Sequence, residues 1–132
     1  DQDGLMVPVG NSLRDYHSVI SGSPLENFIN ARAYLTQKFT YLVQLLEATK
    51  DSDGISLLDS TLVVLTTDMG DGTSHTQGDA PFLLAGGKSF LRTNRLVEGL
   101  GYTHLDLMDT VSTLMGVPSA YYGKGPIAAI IK

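Results

Sequence analysis

Asp68, Asp71, His75 and Asp79 fall within one polar, glycine-rich stretch, Thr67-Asp68-Met69-Gly70-Asp71-Gly72-Thr73-Ser74-His75-Thr76-Gln77-Gly78-Asp79. Three carboxylates and an imidazole this close in the chain can hold a divalent cation. Oxygen ligands alone suit Mg or Ca, whereas His75 shifts the preference toward Zn or Mn. The same residues also make ordinary turns, in which Asp side chains accept from nearby backbone amides and Gly supplies positive φ. A second polar knot, Arg14-Asp15-Tyr16-His17-Ser18, offers Arg14 and His17 as anion or substrate contacts, the guanidinium through its planar fork. Its alternative is a plain surface loop. His104 follows a capping residue in the first turn of an expected helix, where free amides favour anions over a protonated ring, so it reads as structural unless it faces the Thr67–Asp79 loop.

Other motifs fail on spacing. Gly86-Gly87-Lys88-Ser89 imitates the end of a phosphate-binding loop, but that loop needs a glycine where Phe82 stands. Asp51-Ser52-Asp53-Gly54 begins like a calcium loop and then places Ile55 at the third oxygen-ligand position. No serine sits in a Gly-x-Ser-x-Gly elbow, which leaves a hydrolase triad without support. The absence of cysteine excludes thiolate catalysis and thiolate-ligated zinc.

The elements that must position these groups are legible from periodicity and punctuation. Residues 1–22 read as an irregular lead-in with one extended run, Leu5 to Val9. Ser23-Pro24-Leu25-Glu26 is a helix start with a Ser cap, Pro at the first helical position and Glu closing a capping box. Leu25, Phe28, Ile29, Leu35, Phe39, Leu42, Val43 and Leu46 then form one stripe of a helix to about Thr49, closed by the solvated loop Lys50-Asp51-Ser52-Asp53-Gly54. Thr61 to Thr66 is apolar without alternation, as expected of an interior strand in a mostly parallel sheet. The polar loop follows it directly, and Pro81 to Ala85 is a second short strand stopped by Gly86-Gly87. Lys88 to Gly101 reads as a hairpin or excursion. Thr103 caps a last helix from His104 to Met115, with Asp106 at its third position and Gly116 and Pro118 as its stop. Helix, strand, loop, strand and helix in this order predict an α/β fold.

The chain has 132 residues, 42% hydrophobic and 17% charged, which suits one globular domain able to bury a core without metal or disulfide. Its net charge of −5 and pI near 4.9 oppose the field that nucleic acid or an anionic membrane surface requires, so neither is expected as a partner. No apolar run approaches the ~20 residues that span a bilayer. The sequence opens at Asp1 with no Met and no signal-like segment, so a processed or excised piece of something longer is expected.

Leu57-Leu58-Asp59-Ser60-Thr61-Leu62-Val63-Val64-Leu65-Thr66-Thr67-Asp68-Met69-Gly70 resembles the alkaline-phosphatase and sulfatase superfamily, whose buried strand leads into Asp-His-Gly or Asp-Asn-Gly. Met69-Gly70-Asp71-Gly72 with His75, Ala80-Pro81-Phe82-Leu83-Leu84-Ala85-Gly86-Gly87 and Met115-Gly116-Val117-Pro118 is similar to a secreted bacterial branch named for its His-x-x-Ser-His-His motif. The resemblance covers about residues 12 to 123. It departs at Met69, which stands in the second ligand position, and in the Ser12 to His17 segment, where only His17 keeps an imidazole.

The resemblance implies a three-layer α/β/α fold with a mostly parallel sheet, the first helix packed on one face. It implies the carboxyl-terminal portion of a metal-dependent phosphate- or sulfate-ester hydrolase, whose nucleophile lies in an amino-terminal half. Asp68 would be a metal ligand, His75 a ligand or anion contact, and Asp71 a ligand or a carboxylate behind the ligands. The alternative it leaves open is a secreted binding or assembly module that kept the core and lost catalysis. A periplasmic or secreted location is implied, and the expected partner is the amino-terminal portion or another protein chain.

Overall fold

The stripe that begins at Leu25 forms one long helix, α1 (Leu25–Ala48), in the computed structural model, which describes residues 5–16, 18–19, 24–98, 101–117 and 122–132. Pro24, expected at the first helical position, instead takes the cap position, with φ −51°, ψ 146° and no side-chain cap bond, because the helix begins one residue later; Glu26 lies in the first turn. The expected Ser23 cap lies outside the described residues. Thr49 ends the helix by donating from both its amide and its hydroxyl to the Leu45 carbonyl, at 3.0 and 2.8 Å. Asp51 then closes the solvated turn, its Oδ1 accepting from the amides of Asp53 and Ile55, each at 2.9 Å.

β1 (Met6–Val9) and β2 (Ser12–Asp15) form an antiparallel hairpin, with Val9 opposite Ser12. The lead-in therefore holds a second strand beyond the expected run. Gly10, at φ +59°, opens the two-residue turn in the left-handed conformation that a tight hairpin demands there. Alternation along β1 turns Val7 and Val9 inward, where they join Val19 and Ala31 of α1 in a small core bordered by Tyr16 and Tyr34. Burying each of the three valines stabilises by roughly 1.5–3 kcal/mol. Only the Ala31 sector of α1 is covered so well. Leu25, Ile29 and Leu42 remain exposed, although the periodicity marked them for the interior.

Ser56, itself buried, caps the short α2 (Leu57–Ser60) by accepting from the Leu58 amide and donates back to the carbonyls of Leu46 and Glu47. This ties α2 to the end of α1. β3 (Leu62–Thr66) follows and pairs antiparallel with β4 (Phe82–Gly86), in a register that sets Leu62 opposite Gly86 and Thr66 opposite Phe82. The expected three-layer α/β/α arrangement with a mostly parallel sheet is thereby overturned. Among the described residues the strands form two separate two-stranded antiparallel sheets. The reason is the connection. A parallel neighbour needs a crossover, usually a helix, whereas residues 67–81 are polar and glycine-rich and return the chain directly as a long hairpin loop. β3 is also not an interior strand, since Val64 is 36% exposed.

Residues 88–98 make no strand and run as an excursion. Leu91 bridges Ile131, and the Arg92 amide donates to Ile130 in the terminal 3-10 helix Ala128–Ile130. The last long element, α3 (His104–Leu114), begins with the expected Thr103 cap and a complete capping box with Asp106. Met115 ends it, followed by Gly116 at φ +67°. Among the described residues no helix is long and apolar enough to cross a membrane.

Two carboxylates on one face of α3 are among the most buried of the described residues. Asp106 is 1% exposed, and Asp109 and Thr110 are 0% exposed. Asp109 accepts from the amides of Tyr122, Gly123 and Gly125 at 2.6, 2.9 and 3.2 Å. Asp106 accepts from the Lys124 amide at 2.7 Å and from the Thr103 amide and hydroxyl at 2.7 and 2.9 Å. Thr110 accepts from the Ile127 amide at 2.8 Å. Gly123 comes so near that a Cβ there would lie 2.5 Å from an Asp106 carboxylate oxygen.

Asp109→Ala strands three amides in a buried site, at about 1–3 kcal/mol each, so urea denaturation is expected to show a loss of about 3 kcal/mol or more. A loss below about 1 kcal/mol would mean that Asp109 does not hold the segment. The Lys124 amide, followed by the Thr103 amide and hydroxyl, holds the Asp106 carboxyl below its usual value of 3.8. A depressed native pKa means that this stabilisation is complete above the unfolded value and is lost as pH falls through the native one. Thermal unfolding from pH 7 to pH 2 is thus expected to show a steeper acid loss below about pH 4 in the wild type than in Asp106→Asn, which should be less stable at pH 7. Parallel pH curves would contradict this.

Candidate functional site

The loop between β3 and β4 is pinned at three places. The Gly70 amide donates to the Thr76 carbonyl at 3.0 Å, and Asp71 and Thr76 pair as an isolated antiparallel bridge. Gly70 also lies directly on the Gly78 carbonyl, where a Cβ would collide with it. Asp71 closes the tip, its Oδ1 accepting from the Thr73 amide at 2.9 Å and its Oδ2 from the Ser74 hydroxyl. The Ser74 hydroxyl first, and then the Thr73 amide, hold the Asp71 carboxyl below the usual aspartate range, with a smaller contribution from the charge of His75. His75 and Asp79 take left-handed backbone conformations, at φ +52° and +56°.

His104 secures the root of the loop. Its Nε2 lies 2.7 Å from the Thr67 carbonyl oxygen and 3.2 Å from the Thr66 hydroxyl, and its ring packs edge-on against Phe82 with centroids 4.7 Å apart. The ring therefore faces the loop, and it clamps the end of β3 to the start of β4 and α3.

Asp68 and His75 line one cavity of about 220 Å³, together with Thr67, Met69, Gly70 and Gly72. Across from this loop wall stand Tyr16, next to the end of β2, and Phe28 and Arg32 of α1. Three elements distant in sequence thus meet here. Arg32 is half-buried; its guanidinium lies over the Phe28 ring at 5.4 Å, and its Nη1 donates to the Tyr16 hydroxyl at 3.3 Å.

The expected site residues separate accordingly. Asp68 and His75 come together, while Asp71 is turned to the loop tip and does not line the cavity. Arg14 is exposed on β2 opposite Val7, and Asp79 is exposed beyond the cavity. His17 lies outside the described residues. Arg32, Tyr16 and Phe28 were not recognisable as site residues from periodicity, because Arg32 sits beside the apolar stripe like any flanking charge. The one local signal is the Phe28–Arg32 spacing of four, which places a cation and a ring together on a helix.

Asp71 already accepts two hydrogen bonds within its turn, and Met69 contributes only a thioether, a poor ligand for a hard cation. Among the described residues no group of three His, Asp or Glu side chains converges to hold a metal. Asp68 and His75 thus do not complete a coordination sphere by themselves. Comparison of the chain with family models, with curated proteins and with solved structures finds no match.

Gly70→Ala forces its new methyl onto the Gly78 backbone, and overpacking of this kind costs about 1–3 kcal/mol. Limited proteolysis should cut residues 69–79 faster in Gly70→Ala than in the wild type. Gly78→Ala, whose Cβ meets nothing within 4 Å, is the control expected to leave the pattern unchanged. Equal cleavage in both variants would rule out the Gly70 contact as the pin of the loop.

Proposed function

We propose that this chain is the carboxyl-terminal part of a hydrolase acting on phosphate or sulfate esters, and that the cavity beside the β3–β4 loop is its share of the active site. The observation that carries this reading is the meeting of Asp68 and His75 with a half-buried arginine in one small cavity. The loop sequence that places them is the part of the chain that resembles the ester hydrolases. With an ester in the cavity, the Asp68 carboxylate can take a proton from a water molecule as the water oxygen bonds to phosphorus or sulfur, and the His75 imidazolium can give a proton to the ester oxygen as its bond to phosphorus or sulfur breaks. A divalent ion at this place requires at least one ligand from outside the described residues, in keeping with a site completed by an amino-terminal portion or another chain. A periplasmic or secreted location belongs to the same proposal.

The second reading is a non-catalytic binding or assembly module. It draws on the groove between β3 and α3, where Val64, Met108 and Met115 stay exposed and a partner surface would cover them.

Calorimetric titration of Mg, Ca, Mn and Zn into the purified full-length protein that carries this chain separates the two, run beside its turnover of aryl phosphate and aryl sulfate esters. The hydrolase reading expects micromolar binding that Asp68→Ala and His75→Ala each weaken by about tenfold or more, with turnover lost in parallel. Binding and turnover that ignore both substitutions, or are absent, would abandon it in favour of the module.

A further inference from the structure

Resting on that reading, we infer that Arg32 and the Tyr16 hydroxyl form a recognition site for a tetrahedral oxyanion, the phosphate or sulfate group of a small ester or the free anion. Arg32 lines the cavity as a cation in a chain of net charge −5. Both groups that fix it are neutral, the Phe28 ring beneath it and the Tyr16 hydroxyl beside it. Among the described residues no carboxylate pairs with it. An anion that enters the cavity would meet this charge.

The chemistry of the side chain narrows what that is. A guanidinium presents five N–H donors in a planar fork and accepts nothing, so it selects an anion with two oxygens at matching separation. One donor is directed to Tyr16, and Arg32 lines the cavity with the rest of its fork uncommitted to that bond. The Tyr16 hydroxyl, in accepting that bond, keeps its own proton for a third oxygen of the same anion. Half-burial strengthens such bonds relative to the surface, because fewer waters compete for the donors. The anion would then sit between the α1 wall and the loop wall that carries Asp68 and His75.

The cavity also limits the ligand by size and polarity. A volume of about 220 Å³ admits an inorganic oxyanion or a compact monoester. Asp68, exposed on the facing wall, disfavours anions that carry more charge than the guanidinium and hydroxyl can balance. A singly esterified group fits better than a polyphosphate.

Titrations with inorganic phosphate, inorganic sulfate and phenyl phosphate, in chelator at constant ionic strength, test this site apart from any metal. The expected result is saturable binding of at least one of them, with the Arg32 side-chain Nε–H resonance shifting on addition. Arg32→Met should weaken binding by about tenfold or more, Arg32→Lys by less, and Tyr16→Phe by about two- to fivefold. Asp68→Ala should leave binding intact or tighten it, since a neighbouring negative charge is removed. Tighter binding of phenyl phosphate than of phosphate identifies the ester as the ligand, and the reverse identifies the free anion.

Absence of binding at millimolar anion, or binding that Arg32→Met leaves unchanged, overturns the inference. If Arg32→Met fails to fold, Arg32→Lys and the Nε–H shift of the wild type decide the matter. Arg32-dependent binding without ester turnover would keep this site while discarding the hydrolase. Turnover that depends on Asp68 and His75 but not on Arg32 would do the opposite.

Discussion

Two aspartates buried one turn apart on α3 tie residues 122–125 to the start of that helix. Asp106 and Asp109 lie in the interior and take their hydrogen bonds almost wholly from backbone amides of residues 122–125 and from Thr103. A buried carboxylate is costly unless its oxygens are saturated, and an amide is costly unless it finds an acceptor. Here each satisfies the other. Among the described residues 122–132 the regular structure is the short 3-10 helix Ala128–Ile130, and this mutual need fixes residues 122–125 against α3.

That constraint reaches the candidate site through the first turn of α3. The same Asp106 that receives Lys124 closes the capping box with Thr103, which sets where the helix begins. His104 is the first residue of that helix, and its ring bonds to the Thr67 carbonyl and lies against Phe82. The root of the β3–β4 loop is thus fixed from outside the hairpin, while Asp71 and the Gly70–Gly78 approach shape its tip. Asp68 and His75 owe their common cavity to both ends being held.

The hairpin itself explains why the sheet is small. An open, mostly parallel sheet buries its strands under helices on two faces. With β3 and β4 joined by a polar loop, no helix is carried across them, and the α3 side keeps an apolar groove. The far wall of the cavity comes from elsewhere, the end of the β1–β2 hairpin and the first third of α1. Arg32 faces the loop because Ala31, its neighbour in sequence, is the residue that α1 buries against Val7 and Val9.

What the sequence determined by itself is local. The Leu25–Ala48 and His104–Leu114 helices, the Thr103–Asp106 capping box, the Asp51 turn and the strand character of Leu62–Thr66 all follow from spacing and from side chains that bond their own backbone. The loop after β3 could likewise be marked as the place for Asp68 and His75. Strand direction was decided only in three dimensions, because an apolar run without alternation reports burial and says nothing of which neighbour it pairs with. The split between Asp68, which lines the cavity, and Asp71, which binds its own turn, depends on which way a short loop folds. The roles of Arg32 and Tyr16, and the burial of Asp106 and Asp109, required segments far apart in the chain to meet, and no pattern within one segment encodes that meeting.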